Sequence, residues 1–171
     1  MATRTAEIKV PYGYLQEEFK ELRTPILADI ESEALRGEWT LGPQVQEFEE
    51  AWSEALGFTH SVGVSSGTDA LFLILKAMGI GQRQVVYTVP NTFLATVGAI
   101  LQAGAEPVFV DVGEDMLMDY DKLDMKSYNA GAVMPVDWAG NPSSVGSVGD
   151  DLHGDVPTIR DASQSVGAQL G

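Results

Sequence analysis

The chain has 171 residues, of which 44% are hydrophobic and 8% aromatic, a composition typical of a globular domain with its own core. Its formal net charge of −15 argues against nucleic acid or an anionic membrane as a partner, since both require a basic surface. With no cysteine and two histidines, His60 and His153, far apart in sequence, the chain is expected to hold neither a disulfide nor a metal.

Hydropathy gives no sign of a membrane segment. No apolar run approaches the about 20 residues that a membrane-spanning helix needs. The first residues lack the apolar stretch of a signal peptide. We therefore expect a cytoplasmic protein.

The chain opens with two predicted helices. Apolar residues at spacings of three and four predict a helix over residues 14–36. Pro43 at the start and Gly57 at the end predict a second helix. Trp39, in the glycine- and proline-rich break between them, either lines a pocket or packs in the interior.

Strands and helices alternate through the rest of the chain. The strands are continuous apolar runs, which is typical of a mostly parallel sheet covered by helices on both faces. We therefore predict an α/β fold with three layers, α/β/α. The predicted strands cover residues 60–64, 85–88, 107–111, 132–136 and 157–161, and the helices residues 68–78 and about 94–104. Residues 118–130 are too short for a strand–helix excursion, and the glycines of residues 143–156 predict a weak helix or a loop.

Four polar loops follow predicted strands. Ligands of parallel sheets bind beyond the carboxyl ends of the strands, so these loops are expected to converge at one edge. The loops are Ser65–Thr68, Pro90–Phe93, Asp137–Gly140 and Asp161–Gln164.

The first of these loops is predicted to bind an anion. A strand, a small polar turn containing Gly67, and a helix N-terminus present backbone N–H groups that have no partner inside the helix. The serine and threonine hydroxyls of the turn are expected to add hydrogen bonds. Neither the dinucleotide fingerprint nor the P-loop pattern is present.

Three further residues allow two interpretations each from position alone. Asp161, at a strand end, either pairs with a cationic ligand group or caps a helix, with Gln164 completing a capping box. Phe93 either stacks on a planar ligand or packs in the core. Asp111, which ends a strand, is interpreted as structural.

Taken together, the loops resemble the DegT/DnrJ/EryC1/StrS sugar aminotransferases, pyridoxal 5'-phosphate enzymes of fold type I. The resemblance spans residues 37–168. It is strongest in Ser65-Ser-Gly-Thr and Asp161-Ala-Ser-Gln, and it also includes Trp39-Thr-Leu-Gly-Pro, Thr88-Val-Pro-Asn-Thr-Phe, Gly104-Ala-Glu-Pro-Val-Phe-Val-Asp and Pro135-Val-Asp-Trp-Ala-Gly-Asn-Pro.

The resemblance implies a role for each candidate residue. Gly67 and Thr68 would offer backbone N–H groups to the cofactor phosphate, and Phe93 would stack on the pyridine ring. Asp161 would pair with the protonated ring nitrogen, and Gln164 would lie near the ring hydroxyl. Asp137 departs from the family, which commonly has histidine there, and this puts substrate contacts at that position in doubt.

The resemblance also implies a division of the chain. Residues 1–36 would form an N-terminal helical segment and residues 37–171 part of the cofactor-binding large domain, with the small C-terminal domain absent. The family's Schiff-base lysine lies downstream of the Asp161 loop, so this N-terminal, truncated chain is expected to have no catalytic residue of its own and to be inactive alone. None of its lysines matches that motif: Lys9, Lys20, Lys76, Lys122 and Lys126.

The implied activity is amino transfer to a nucleotide-linked keto-sugar, in cell-surface polysaccharide or amino-sugar biosynthesis, with glutamate as the usual amino donor. The implied partner is a second copy in a homodimer, or a complementing C-terminal fragment. Two alternatives remain open from the sequence: a sugar dehydratase of the same family, and a non-catalytic remnant that binds a phosphate ligand or a partner.

Overall fold

The computed structural model describes residues 15–37, 39–40, 42–125, 129–143 and 156–168. The chain forms two compact units, Met1–Ser61 and Val62–Gly171. The predicted division after residue 36 stays a prediction. The predicted weak helix or loop of residues 143–156 lies almost wholly outside the described residues.

The first unit contains the two predicted helices, α1 (Leu15–Arg36) and α2 (Pro43–Leu56). Pro43 occupies the first turn of α2, where its missing N–H costs nothing. Gly57 ends α2 in the left-handed conformation, with φ of 73°. Trp39 lies on the wall of a cavity between these helices, so the pocket-lining interpretation of this residue is confirmed.

The second unit is built on a three-stranded parallel sheet. Its strands are β1 (Val85–Thr88), β2 (Glu106–Phe109) and β3 (Ala130–Val133), in the order β2-β1-β3. Central β1 is buried along its whole length, whereas β2 is an edge strand with exposed ends. The predicted parallel sheet of an α/β fold is therefore confirmed.

Two helices pack against one face of this sheet. They are α3 (Gly67–Ala77) and α4 (Leu94–Ala103), and glycines in the left-handed conformation follow both, Gly79 and Gly104. Alternate strand residues point to opposite faces, so Val86 joins the core beneath these helices while Tyr87 faces away. The other face is covered by the segment 110–125, which contains a single 3-10 turn at Tyr120–Lys122 rather than an α-helix.

Two predicted strands are absent as regular elements. Residues 60–64 form no strand, and Val62 and Val64 are exposed. Residues 157–161 run parallel to β3 but make only isolated bridges, at Thr158 and Asp161. Apolar β-branched residues favour an extended chain, but a strand also requires a regularly spaced neighbour, which the sequence pattern does not reveal.

Candidate functional site

A cavity of about 310 Å³ lies at the carboxyl edge of the sheet, and the five candidate residues all contribute to its wall. The loop that precedes α3, the loop that follows β1 and the loop that follows residues 157–161 meet there, as the parallel topology predicts. The fourth predicted loop, Asp137–Gly140, contributes no residue to the wall. The lining residues are Gly67, Thr68, Leu71, Thr92, Phe93, Ala95, Val136, Asp161, Ser163 and Gln164.

The N-terminus of α3 faces this cavity. Ser66 caps the helix by accepting a hydrogen bond from the Asp69 N–H at 3.1 Å. Gly67 and Thr68 are the first two helical residues, whose N–H groups have no acceptor inside a helix. A β-carbon on Gly67 would lie 3.4 Å from Ser163 Oγ, so the helix end and the Asp161 loop closely approach each other.

The serine hydroxyls of the turn are engaged within the protein. Ser65 Oγ and Ser66 Oγ both donate hydrogen bonds to the Asp69 carboxylate. These bonds, that of Ser65 first, hold the pKa of Asp69 below its usual value. The hydrogens of these two hydroxyls are thus donated within the protein, whereas the N–H groups of Gly67 and Thr68 have no acceptor inside the helix. That the hydroxyls of the turn add hydrogen bonds to an anion stays a prediction.

We expect Ser66→Ala to lower the free energy of unfolding by about 1 kcal/mol, because it removes the cap of α3. The matched control is Ser65→Ala, which removes a hydroxyl bonded to the same Asp69 carboxylate without removing the cap. Urea unfolding of both variants measures the difference. Equal losses would show that the cap contributes nothing beyond the carboxylate bond.

Phe93 is not a core residue. It stands at the N-cap position of α4, is 72% exposed, and belongs to the cavity wall. The alternative of a packed interior phenylalanine is therefore wrong. An exposed aromatic ring beside a cavity offers a flat apolar surface on which a planar ligand can stack.

Asp161 is buried, at 7% exposure, and its two carboxylate oxygens have different partners. Oδ2 accepts a hydrogen bond from Thr96 Oγ1 at 2.7 Å, and Oδ1 accepts one from Ser163 Oγ at 2.7 Å. Residues 162–168 form turns rather than a helix, so the helix-cap interpretation of Asp161 is wrong.

Gln164 does not complete a capping box either. Its Oε1 accepts a hydrogen bond from the Ala139 N–H at 2.8 Å. The side chain therefore connects the Asp161 loop to the loop after β3. Ala139 has an unusual positive φ of 52°, within the short 3-10 turn Trp138–Gly140.

The loop after β3 contains an ionic centre that the sequence pattern does not reveal. Asp137 is fully buried and forms an ion pair with Arg160, with Nη2 2.6 Å and Nε 2.7 Å from Oδ2. Ser165 Oγ also donates to this carboxylate, and the Ser143 N–H donates to Oδ1 at 2.8 Å. Asp137, which stands where the family commonly has histidine, thus connects the loop after β3 to the segment that carries Asp161.

Electrostatics favour the ionised form of Asp137. Burial raises its pKa, but hydrogen bonds from Arg160, Ser165 and Ser143 outweigh that effect, and the pKa lies below its usual value. The pKa of the nearby Tyr120 phenol is raised instead. Burial is the larger cause, and the negative charge of Asp137 is the second.

The other charged candidates lie outside the cavity. Asp111 is exposed and pairs with Lys122 at 3.6 Å. Lys20 pairs with Glu17 on α1. None of the three lysines in the described part of the chain, the third being Lys76, belongs to the cavity wall.

The cavity therefore combines three chemical features: backbone donors at a helix N-terminus, an exposed aromatic ring, and a buried carboxylate. Together they can hold the phosphate, the flat ring and a protonated ring nitrogen of one small molecule. The residues present thus fit pyridoxal phosphate.

This fold and site define an α/β domain with a small-molecule-sized cavity at the carboxyl edge of a parallel sheet. The model of the DegT/DnrJ/EryC1/StrS aminotransferase family matches residues 21–171, and the chain belongs to this family.

Relatives and solved structures agree with this assignment. The chain is 39% identical over 146 residues to a Campylobacter jejuni UDP-4-amino-4,6-dideoxy-N-acetyl-beta-L-altrosamine transaminase, covering 82% of this chain and 39% of that protein. A DegT/DnrJ/EryC1/StrS aminotransferase from Brucella abortus superimposes with a TM-score of 0.84 at 30% identity, covering 92% of this chain and 45% of that one. Bacillus subtilis NtdA, solved with bound cofactor PMP, superimposes with a TM-score of 0.83 at 28% identity, covering 95% of this chain and 39% of that one.

The chain thus spans less than half the length of these proteins. Within the described residues, no helix has the length and apolar character needed to cross a bilayer.

Proposed function

We propose that this chain forms the cofactor-binding part of a pyridoxal-phosphate-dependent aminotransferase that acts on nucleotide-linked keto-sugars. The observation that carries the proposal is the convergence of the α3 N-terminus, Phe93 and Asp161 on one cavity. The similarity to a transaminase of a UDP-linked amino-sugar supports the substrate class.

Each side of the cavity would perform one task. Gly67 and Thr68 would bind the cofactor phosphate through backbone N–H groups, where the helix dipole adds positive potential. Phe93 would stack on the ring, and Asp161 would hold a proton on the ring nitrogen. Gln164, anchored to Ala139, would orient toward the ring hydroxyl. The bound cofactor supplies an electron-withdrawing ring for amino transfer.

The remaining requirements are part of the same proposal. The amino group would come from glutamate. The lysine that forms the Schiff base would be none of this chain's own lysines. A second copy in a homodimer or a complementing C-terminal fragment would complete the site. The protein would work in the cytoplasm, in polysaccharide or amino-sugar biosynthesis.

Binding of pyridoxamine phosphate to the chain tests the cofactor site directly. This ligand carries an amine rather than an aldehyde, so it cannot form a Schiff base with a surface lysine. We expect saturable binding by isothermal titration calorimetry. Pyridoxamine without the phosphate should bind far more weakly, because the helix N-terminus then has no anion to hold.

The contribution of the aromatic ring is tested with a matched pair of variants. Phe93→Ala should weaken binding about 2- to 10-fold through lost stacking. Phe109→Ala removes another exposed ring, 54% exposed, from edge strand β2, outside the cavity wall, and should leave binding unchanged. The absence of saturable binding, or identical affinities of the two variants, would contradict the proposed site.

A further inference from the structure

Asp161 is held by a hydrogen-bond chain that reaches from one loop of the site into another. Thr96 lies in the first turn of α4, is fully buried, and donates its hydroxyl hydrogen to Asp161 Oδ2 at 2.7 Å. Thr92 lies one helical turn earlier, on the cavity wall, and its Oγ1 is 2.7 Å from Thr96 Oγ1.

The direction of this chain follows from proton counting. A carboxylate has no hydrogen to donate, and a hydroxyl has only one. Thr96 must therefore give its hydrogen to Asp161, and its oxygen must accept the hydrogen of Thr92. The Thr92 hydroxyl therefore donates to Thr96, and the Thr96 hydroxyl donates to Asp161. Both O–H dipoles are thus directed along the chain toward the carboxylate.

No cation within the described residues neutralises Asp161. None of the ion pairs among them involves this carboxylate. The adjacent Arg160 turns its guanidinium to the buried Asp137 instead. A buried carboxylate held only by neutral donors retains its capacity to pair with a positive group of a ligand.

We propose that Thr96, oriented by Thr92, is a positioning residue for Asp161, fixing the carboxylate so that it faces a protonated ring nitrogen in the cavity. This inference rests on the proposed cofactor site. Ser163 holds the other oxygen, with Oγ at 2.7 Å and its backbone N at 3.3 Å. The two donors together leave the carboxylate no freedom to rotate without losing a hydrogen bond.

The decisive variant is Thr96→Val, which replaces the hydroxyl by a methyl group of similar shape. It is expected to bind pyridoxamine phosphate about tenfold more weakly, because a carboxylate that Thr96 no longer holds must be ordered when the ligand pairs with it. Thr96→Ser retains the hydroxyl and is expected to bind nearly as tightly as the unmodified chain.

The matched control is Thr88→Val. Thr88 is also fully buried, and its Oγ1 donates to the Met134 carbonyl at 2.9 Å, away from the cavity wall. The Thr88→Val variant thus removes an equally buried hydroxyl with no link to Asp161, and its affinity for pyridoxamine phosphate should not change. Thermal unfolding shows that each variant is folded at the titration temperature.

A second ligand separates positioning from mere structural support. In the analogue of pyridoxamine phosphate with carbon in place of the ring nitrogen, no group remains for Asp161 to pair with. Thr96→Val should therefore bind this analogue as tightly as the unmodified chain does, and lose affinity only for the natural ligand.

The outcomes distinguish this inference from the proposed function. If the unmodified chain and Thr96→Val bind pyridoxamine phosphate with equal affinity, the positioning role is overturned and the cofactor site stands. If Thr96→Val loses affinity equally for both ligands, the role is structural and the inference again fails. If the unmodified chain binds neither ligand, the proposed function fails as well.

Discussion

Asp161→Asn is expected to weaken binding of pyridoxamine phosphate about 10- to 100-fold, since the protonated ring nitrogen then meets a neutral amide instead of a carboxylate. The fold should survive the change. The amide oxygen of asparagine can still accept a hydrogen bond, and its NH₂ group can donate to a hydroxyl that rotates to accept. The loss therefore reports on the ligand contact, and calorimetric titration measures it.

The control for this charge change is Asp111→Asn. Asp111 is exposed and lies outside the cavity wall, so its neutralisation changes the net charge by the same amount without touching the site. Affinity should remain that of the unmodified chain. Equal weakening by both variants would mean that overall charge, and not the Asp161 carboxylate, governs binding.

Asp137→Ala is expected to lower the free energy of unfolding by about 3 kcal/mol, the lower end for a broken buried ion pair, because the Arg160 side chain retains 32% exposure. The variant leaves a guanidinium and two neutral donors without their acceptor. Urea unfolding measures the loss.

A double-mutant cycle separates the ion pair from the rest of the network. Adding Arg160→Met to Asp137→Ala removes the unpaired cation, so the double variant should lose less stability than the sum of the two single losses. Ser165→Ala removes one neutral donor of Asp137 and should cost only about 1 kcal/mol. Strict additivity in the cycle would contradict the ion pair.

The lowered pKa of Asp137 also predicts a pH dependence. Its carboxylate stabilises the fold fully above the unfolded-state pKa of about 3.9, and that contribution is lost as pH falls through the still lower folded-state pKa. The stability difference between the unmodified chain and Asp137→Asn should thus be constant near neutral pH and shrink below about pH 4. A difference independent of pH down to full acid unfolding would argue against ionisation of Asp137.

Local sequence signals predicted the elements that depend on near neighbours. Pro43 and Gly57 mark the ends of α2, because helix-starting prolines and terminal glycines act within a few residues. The apolar run of β1 was equally clear, since this strand is central and buried on both faces.

Signals that require a distant partner were misread or missed. Residues 60–64 have the apolar character of a strand but form none, whereas residues 157–161 lie beside β3 with only isolated bridges. Whether an extended segment becomes a strand depends on its neighbour, which can lie far along the chain.

The sequence by itself determined the family pattern, the α/β class and five of the ten residues that line the cavity: Gly67, Thr68, Phe93, Asp161 and Gln164. Only the tertiary structure decided how that cavity is held. Thr96 meets Asp161 across 65 positions, and Asp137 meets Arg160 across 23. A threonine inside an apolar helix and an aspartate after a strand look ordinary in sequence, because the partner that gives each its role is brought near only by folding.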